Sequence, residues 1–128
     1  MPKTGFYPHF NKEIEIVTRV LEGEVMHQDK TGNKAIIKAG DVQRMSAGIG
    51  IVHSEHDLSD MLVHFSQIWI YPDQRSLKPS YEQKSFADVS KENRLVPVAS
   101  GRRTPRHIRE ALKYSEDACL TVVIFCER

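Results

Sequence analysis

Two short stretches place a histidine two residues away from a second possible ligand. The first is "GDVQRMSAGIGIVHSEHD", residues 40–57, which contains His53 and Glu55. In an extended strand, residues i and i+2 point to the same face, so these two side chains can aim at one point. In the second, "GFYPHFNKEIE", a regular strand would place four polar side chains on one face: His9, Asn11, Glu13 and Glu15.

These residue types are those of a mononuclear transition-metal site. Two strands could bring two imidazoles, one or two carboxylates and an amide to a common centre, with Glu15 as a reserve ligand. Imidazole with carboxylate suits iron, manganese, nickel, zinc or copper, and two histidines with one carboxylate favour Fe(II). Because one His-x-Glu is a weak motif, ordinary surface or core roles remain an alternative. We interpret the other histidines in that way: His27, His56, His64 and His107.

The elements that would position these side chains follow a period of two residues, which is typical of strands. The sequence predicts a hairpin around residues 31–33, a long central strand over Met61 to Pro72, and two outer strands in "SYEQKSFAD" and "NRLVPVAS". One helix is predicted from Pro105 to Tyr114, followed by a strand in "ACLTVVIFCE". Many short strands with glycine turns predict an all-β sandwich or closed barrel.

Length, charge and composition limit the classes of protein to which the chain can belong. A chain of 128 residues is enough for one ordinary domain, and a net charge of +1 gives no reason to expect a nucleic-acid or membrane surface. No apolar run approaches the roughly 20 residues of a spanning helix, and the first residues do not resemble a signal peptide. Cys119 and Cys126 would lie on opposite faces of one strand, so we expect no disulfide between them and a reducing cytoplasm as the location.

Three longer stretches resemble the pirin family of cupins: "GFYPHFNKEIEIVTRVLEGEVMHQD", "GDVQRMSAGIGIVHSE" and "QIWIYPDQRSLKPSYEQKSF". The resemblance implies an antiparallel jelly-roll β-barrel around one metal ion, which would be Fe(II) or another divalent metal (Mn, Ni, Cu or Zn). Some bacterial members resemble quercetin 2,3-dioxygenases, which open a flavonol with O₂. The animal member is a redox-sensitive nuclear coregulator.

The resemblance also assigns the candidate ligands. His9, His53 and Glu55 match three of the four metal ligands of the family, and the fourth, a histidine, falls on Asn11. An amide oxygen is a poorer ligand for such a metal than an imidazole nitrogen. Glu55 would also be the catalytic residue, as a base for a flavonol hydroxyl.

The extent of the match predicts the domain organisation. Residues 1–99 resemble the first cupin domain of a pirin, and residues 100–128 resemble the linker and the first strand of a second one. Strands that precede the motif in the family have no counterpart, and a bare sheet edge is rare in natural proteins. We therefore expect a homodimer that completes the barrel.

Three functions remain open at this point. The first is a pirin-like cupin whose barrel holds a full or residual metal site, without a defined activity. The second is a metal-dependent dioxygenase of the quercetinase type, acting on a small aromatic, flavonol-like substrate. The third is a non-catalytic regulatory or interaction module, which includes a degenerate member whose barrel persists without metal.

Overall fold

In the computed structural model, every regular element among the described residues is a β-strand. These residues are 5–57, 62–72, 74–87, 96–100, 112–113 and 122–125. The strands are β1 Gly5–Asn11, β2 Glu15–Glu22, β3 Glu24–Asp29, β4 Lys34–Lys38, β5 Asp41–Ser46, β6 Ile51–Asp57, β7 His64–Ile70, β8 Ser80–Ser85, β9 Val96–Ser100, β10 Leu112–Lys113 and β11 Val122–Phe125. The prediction of an all-β fold is confirmed. No helix in this part of the chain could span a membrane.

The strands form three sheets. Sheet A has the order β1-β6-β3-β4, and sheet B has the order β7-β2-β5-β8. All pairs within these two sheets are antiparallel. A small third sheet, sheet C, has the order β10-β9-β11. The chain moves between sheets A and B several times, as expected for a jelly roll.

Sheet B is covered on both faces, which explains why β2 is almost continuously buried. Ile16 and Val20 belong to clusters on the face toward sheet A. Val17 packs on the opposite face with Val42, Val98 of β9 and neighbouring side chains. A strand buried on both faces carries apolar residues at consecutive positions rather than in alternation. The space between sheets A and B holds the candidate site.

Several strand predictions are confirmed and others are wrong. The hairpin around residues 31–33 is formed by β3 and β4, and β8 is an outer strand as expected. The run Met61 to Pro72 contains β7, which lies at the edge of sheet B rather than at its centre. Strand β9, predicted as outer, lies in the middle of sheet C. The apolar content of a strand indicates how far its two faces are buried. It does not indicate how many neighbouring strands it has, so the position of a strand within its sheet was not predictable.

The predicted helix over Pro105 to Tyr114 is wrong at its end, because Leu112–Lys113 form β10. The remainder of that helix, Cys119 and Cys126 lie outside the described residues. Strand β11 agrees with the strand predicted in this region. The boundary at residues 99 and 100 stays a prediction, and β9 spans it.

The expectation of one regular strand from His9 to Glu15 is also wrong. Glu13 adopts a left-handed conformation with φ of 52°, and its carboxylate accepts hydrogen bonds from the backbone N–H of Ser76 at 3.0 Å. This bend ends β1 and allows β2 to enter the other sheet. Glu15 is fully buried, and its Oε1 accepts a hydrogen bond from Ser46 at 2.9 Å. It lies on the face of sheet B that is turned away from sheet A, so it is not a reserve ligand.

Candidate metal centre

The centre is built on neighbouring strands of sheet A. Strands β1 and β6 pair so that His9 lies opposite His53, and the two rings meet edge to face with centroids 4.4 Å apart. The Nε2 atoms of the two histidines are 3.0 Å apart. The amide nitrogen of Asn11 lies 3.4 Å from Nε2 of His53. The structure therefore brings three of the four predicted residues together.

The other ring nitrogen of each histidine determines which nitrogen carries the proton. Nδ1 of His9 is 2.9 Å from the carbonyl oxygen of Tyr7, which can only accept a hydrogen bond. Nδ1 of His53 is 3.0 Å from the thioether sulfur of Met45, which is also an acceptor. A neutral imidazole that donates through Nδ1 has a bare lone pair on Nε2. Two such lone pairs face each other here.

This arrangement fits a metal ion. Two facing lone pairs repel unless a proton or a cation lies between them. Metal–nitrogen bonds of about 2.1 Å at right angles separate two ligand nitrogens by about 3.0 Å, which is the observed spacing of the Nε2 atoms. Ligating histidines usually donate their second N–H to a neighbouring acceptor, as both do here.

Glu55 shares the strand and face of His53 but makes a different contact. Its side chain is almost fully buried, and its Oε2 accepts a hydrogen bond of 2.8 Å from the amide of Gln67. Oε1 has no partner with hydrogen-bond geometry, although the buried amide of Gln43 is close enough to lower the pKa of the carboxyl group. Within the described residues, no three side chains of the types His, Cys, Asp and Glu surround a common point. The structure thus places Glu55 beside the histidine pair without closing a three-ligand set.

The interpretation of His27 as an ordinary side chain missed a member of this cluster. His27 is fully buried, its ring centroid lies 5.4 Å from that of His53, and it stacks on Tyr81 at 4.7 Å. Its Nε2 is 3.3 Å from Oδ2 of Asp29, whereas Nδ1 has no partner. The signal was present in the sequence, because His27 and Asp29 have the same spacing as His53 and Glu55.

Burial and neighbouring charges set the protonation of the cluster. Burial, with smaller contributions from His9 and His27, lowers the pKa of His53 to about 4. Burial also raises the pKa of Glu55, although the hydrogen bond from Gln67 opposes this effect. Burial alone would raise the pKa of Asp29, but hydrogen bonds to its carboxylate, led by that from Thr31, outweigh burial and lower the pKa to about 2. At neutral pH His53 is therefore uncharged, as a metal ligand must be.

A cleft open to the surface is lined in part by Glu55. Its volume is about 300 Å³, and it lies between the ends of β1, β3, β6 and β7. Most of its walls are apolar, with two acidic side chains, and the lining residues are Gly5, Phe6, Val25, Glu55, Asp57, Leu62, Val63 and Phe65. An apolar cleft with a few polar groups is the usual form of a small-molecule site.

Comparison with known proteins agrees with this geometry. The model of the pirin family matches residues 1–70. A Pseudomonas aeruginosa relative is 44% identical over 120 residues, which is 94% of this chain and 50% of the relative. Quercetin 2,3-dioxygenase of Escherichia coli K12 is 51% identical over 86 residues, covering 66% of this chain and 37% of that protein. The chain thus spans about half the length, or less, of these relatives.

A solved structure supports the fold. The crystal structure of the bacterial pirin YhhW from Escherichia coli, in complex with nickel(II), matches with a TM-score of 0.71 and 43% identity. The match covers 86% of this chain and 44% of that chain. The two facing sheets are therefore those of a cupin jelly roll, and the predicted family is confirmed. This chain is a pirin-like cupin and belongs to the pirin family.

Proposed function

We propose that this pirin-like barrel binds one divalent transition metal through His9 and His53, with Glu55 as the third ligand. The observation that carries the proposal is the 3.0 Å separation of the two Nε2 atoms, each on a ring whose Nδ1 lies beside a hydrogen-bond acceptor. Glu55 is the available carboxylate, because its Oε1 is buried without a partner. A buried polar atom without a hydrogen bond is costly, and coordination would remove that cost.

Asn11 would lie next to this metal as a weaker, fourth neighbour. Its amide nitrogen faces His53 at 3.4 Å, so ligation would require the amide to turn and present its oxygen. Two imidazoles with a carboxylate suit Fe(II), Mn, Ni, Cu or Zn. The nickel(II) in YhhW makes Ni²⁺ the practical probe.

Equilibrium dialysis of the metal-free protein against Ni²⁺ and Fe²⁺ tests the proposal. We expect close to one ion per chain for the wild-type protein, with severe loss of binding for His9→Ala and for His53→Ala. His64→Ala is the matched control, since His64 is an exposed histidine on β7. Equal binding by all four proteins would show that the bound ion lies elsewhere.

A second candidate function is dioxygenase activity toward a small flavonol. It is favoured by the cleft of about 300 Å³ that Glu55 lines in part and by the name of the Escherichia coli K12 relative. A bound divalent metal would supply a site for substrate and O₂. Because burial raises the pKa of Glu55, its carboxylate is a better base for a hydroxyl proton than an exposed glutamate.

Quercetin loss under air, compared with loss under nitrogen, measures this activity. We expect turnover by the metal-loaded protein under air and at least a 100-fold decrease for Glu55→Gln, on the order of a general-base contribution. Metal binding without O₂-dependent turnover would leave the non-catalytic binding or interaction module as the function of the chain.

Other expectations from the sequence remain part of the proposal. They are homodimerisation, a cytoplasmic location, and the division into a domain over residues 1–99 and a tail over residues 100–128. The exposed aromatic side chains of β1 support the first of these, since Phe6, Tyr7 and Phe10 are 53%, 83% and 63% exposed. Covering such a strand would remove a bare sheet edge from solvent.

A further inference from the structure

A chain of hydrogen bonds runs from the surface of β7 to the candidate metal centre. The indole N–H of Trp69 donates to Oε1 of Gln67 at 2.8 Å. The amide nitrogen of Gln67 donates to Oε2 of Glu55 at 2.8 Å and lies 3.3 Å from the hydroxyl oxygen of Thr18. Trp69 and Gln67 alternate with Ile68 on the strand, so they share the face turned toward sheet A.

The indole determines the orientation of the Gln67 amide. A glutamine side chain can turn by half a rotation and exchange its oxygen for its nitrogen. An indole N–H can only donate, so it holds the amide oxygen on its own side. The amide nitrogen must then face Glu55, whose carboxylate oxygens accept. In the reverse orientation, donor would meet donor at Trp69 and acceptor would meet acceptor at Glu55.

The hydrogen bond from Gln67 also gives the two carboxylate oxygens of Glu55 different roles. Oε2 of Glu55 is occupied by Gln67, whereas Oε1 has no partner. A carboxylate held through one oxygen presents the other in a fixed direction. Trp69 is 56% exposed, so an indole at this position stabilises the fold little by burying apolar area. The hydrogen bond that its N–H donates is the stronger explanation for a tryptophan here.

We infer that Trp69 and Gln67 are positioning residues that orient the carboxylate of Glu55 for single-oxygen ligation. This inference rests on the proposed metal-binding function and extends it to two residues outside the ligand set. Trp69 acts only through Gln67, and Gln67 acts on Glu55. Groups that orient a metal ligand typically change metal affinity by roughly 10- to 100-fold when they are removed.

Ni²⁺ titration calorimetry on the wild-type protein and four variants tests the order of action. We expect Gln67→Leu to weaken Ni²⁺ binding by roughly 10- to 100-fold. Trp69→Phe, which removes the N–H donor and keeps an aromatic ring, should weaken binding by a smaller factor. Because Trp69 acts through Gln67, adding Trp69→Phe to Gln67→Leu should have no further effect. Tyr71→Phe is the matched control, because Tyr71 is an exposed aromatic residue directly after β7, and it should bind as the wild type does.

Additive losses in the double variant, or equal affinities for Trp69→Phe and Tyr71→Phe, would overturn the inference. A second measurement does not depend on metal. Trp69 is the single tryptophan of the sequence, so the metal-free protein gives one indole N–H resonance in a ¹⁵N-labelled sample. We expect Gln67→Leu to move this resonance upfield and Glu55→Ala to shift it as well, because the glutamine links the two groups.

The two measurements separate the inference from the proposed function. Absent Ni²⁺ binding together with the expected indole shifts would refute the metal site and retain the orienting chain. Normal Ni²⁺ binding with an indole resonance that neither variant shifts would retain the metal site and refute the chain.

Discussion

Acidification should destabilise the metal-free protein through His53. The pKa of this histidine falls from an ordinary value of 6.5 to about 4 in the folded protein, mainly because of burial. Between these two values the unfolded chain binds more protons than the folded one. The stabilisation from a neutral His53 is therefore complete above about pH 6.5 and is lost as the pH falls toward 4.

The size of the effect follows from the same two values. Proton linkage for one group with these pKa values removes roughly 1 kcal/mol of unfolding free energy near pH 5.5 and roughly 2 to 3 kcal/mol near pH 4.5. The side chain of His53 is only 2% exposed, so solvent screening should reduce these figures little. The raised pKa of Glu55 acts in the opposite direction, because protonation of a buried carboxyl favours the folded state as pH falls. The effect must therefore be measured as a difference between variants.

Urea unfolding in the presence of a chelator provides that difference. We expect the wild-type protein to lose roughly 2 kcal/mol more than His53→Gln between pH 7 and pH 4.5. His64→Gln should follow the wild type, because His64 is exposed at the start of β7. If the wild type and His53→Gln lost the same free energy over this range, His53 would not be held neutral in the folded protein. Nε2 of His53 would then not carry the free lone pair that metal binding requires.

The remaining predictions concern the ligand set, one turn and the oligomeric state. Asn11→His should tighten Ni²⁺ binding by roughly 10-fold or more, by analogy with the loss caused by removing a supporting group, and calorimetry showing unchanged affinity would contradict it. Gly48→Ala should cost more than about 2 kcal/mol in urea unfolding, since a Cβ there would clash with the Leu77 carbonyl oxygen at a φ of 48°. Gly32→Ala, which meets no atom within 4 Å, should cost only about 1 kcal/mol, and equal costs would refute the role of the clash. Sedimentation velocity should show a dimer, and a monomer at high concentration would exclude it.

Part of the candidate site was predictable from alternation alone. The two-residue period of a strand placed His53 and Glu55 on one face, and both are buried on the inner face of sheet A. The pairing of β1 with β6, which brings His9 to 3.0 Å from His53, depends on long-range register. Spacing within one strand contains no information about that register.

Other parts failed for identifiable physical reasons. The prediction of one regular strand from His9 to Glu15 missed the bend at Glu13, which has a left-handed φ of 52°. A left-handed residue is usually glycine, so a glutamate at this position gave no sign of the bend in the sequence. His27 was missed because the ring that it meets in the cluster, that of His53, lies on a different strand, β6. Its spacing to Asp29 nevertheless matched the spacing already recognised between His53 and Glu55. The hydrogen bond from Gln67 of sheet B to Glu55 of sheet A could not be predicted, because it depends on how the two sheets face each other.

A crystal of the protein grown with Ni²⁺, with anomalous diffraction recorded at the nickel edge, tests the central claim most directly. We expect one anomalous peak about 2.1 Å from Nε2 of both His9 and His53, with an oxygen of Glu55 in the same coordination sphere. A nickel peak bound through Nδ1, or one located away from both histidines, would contradict it.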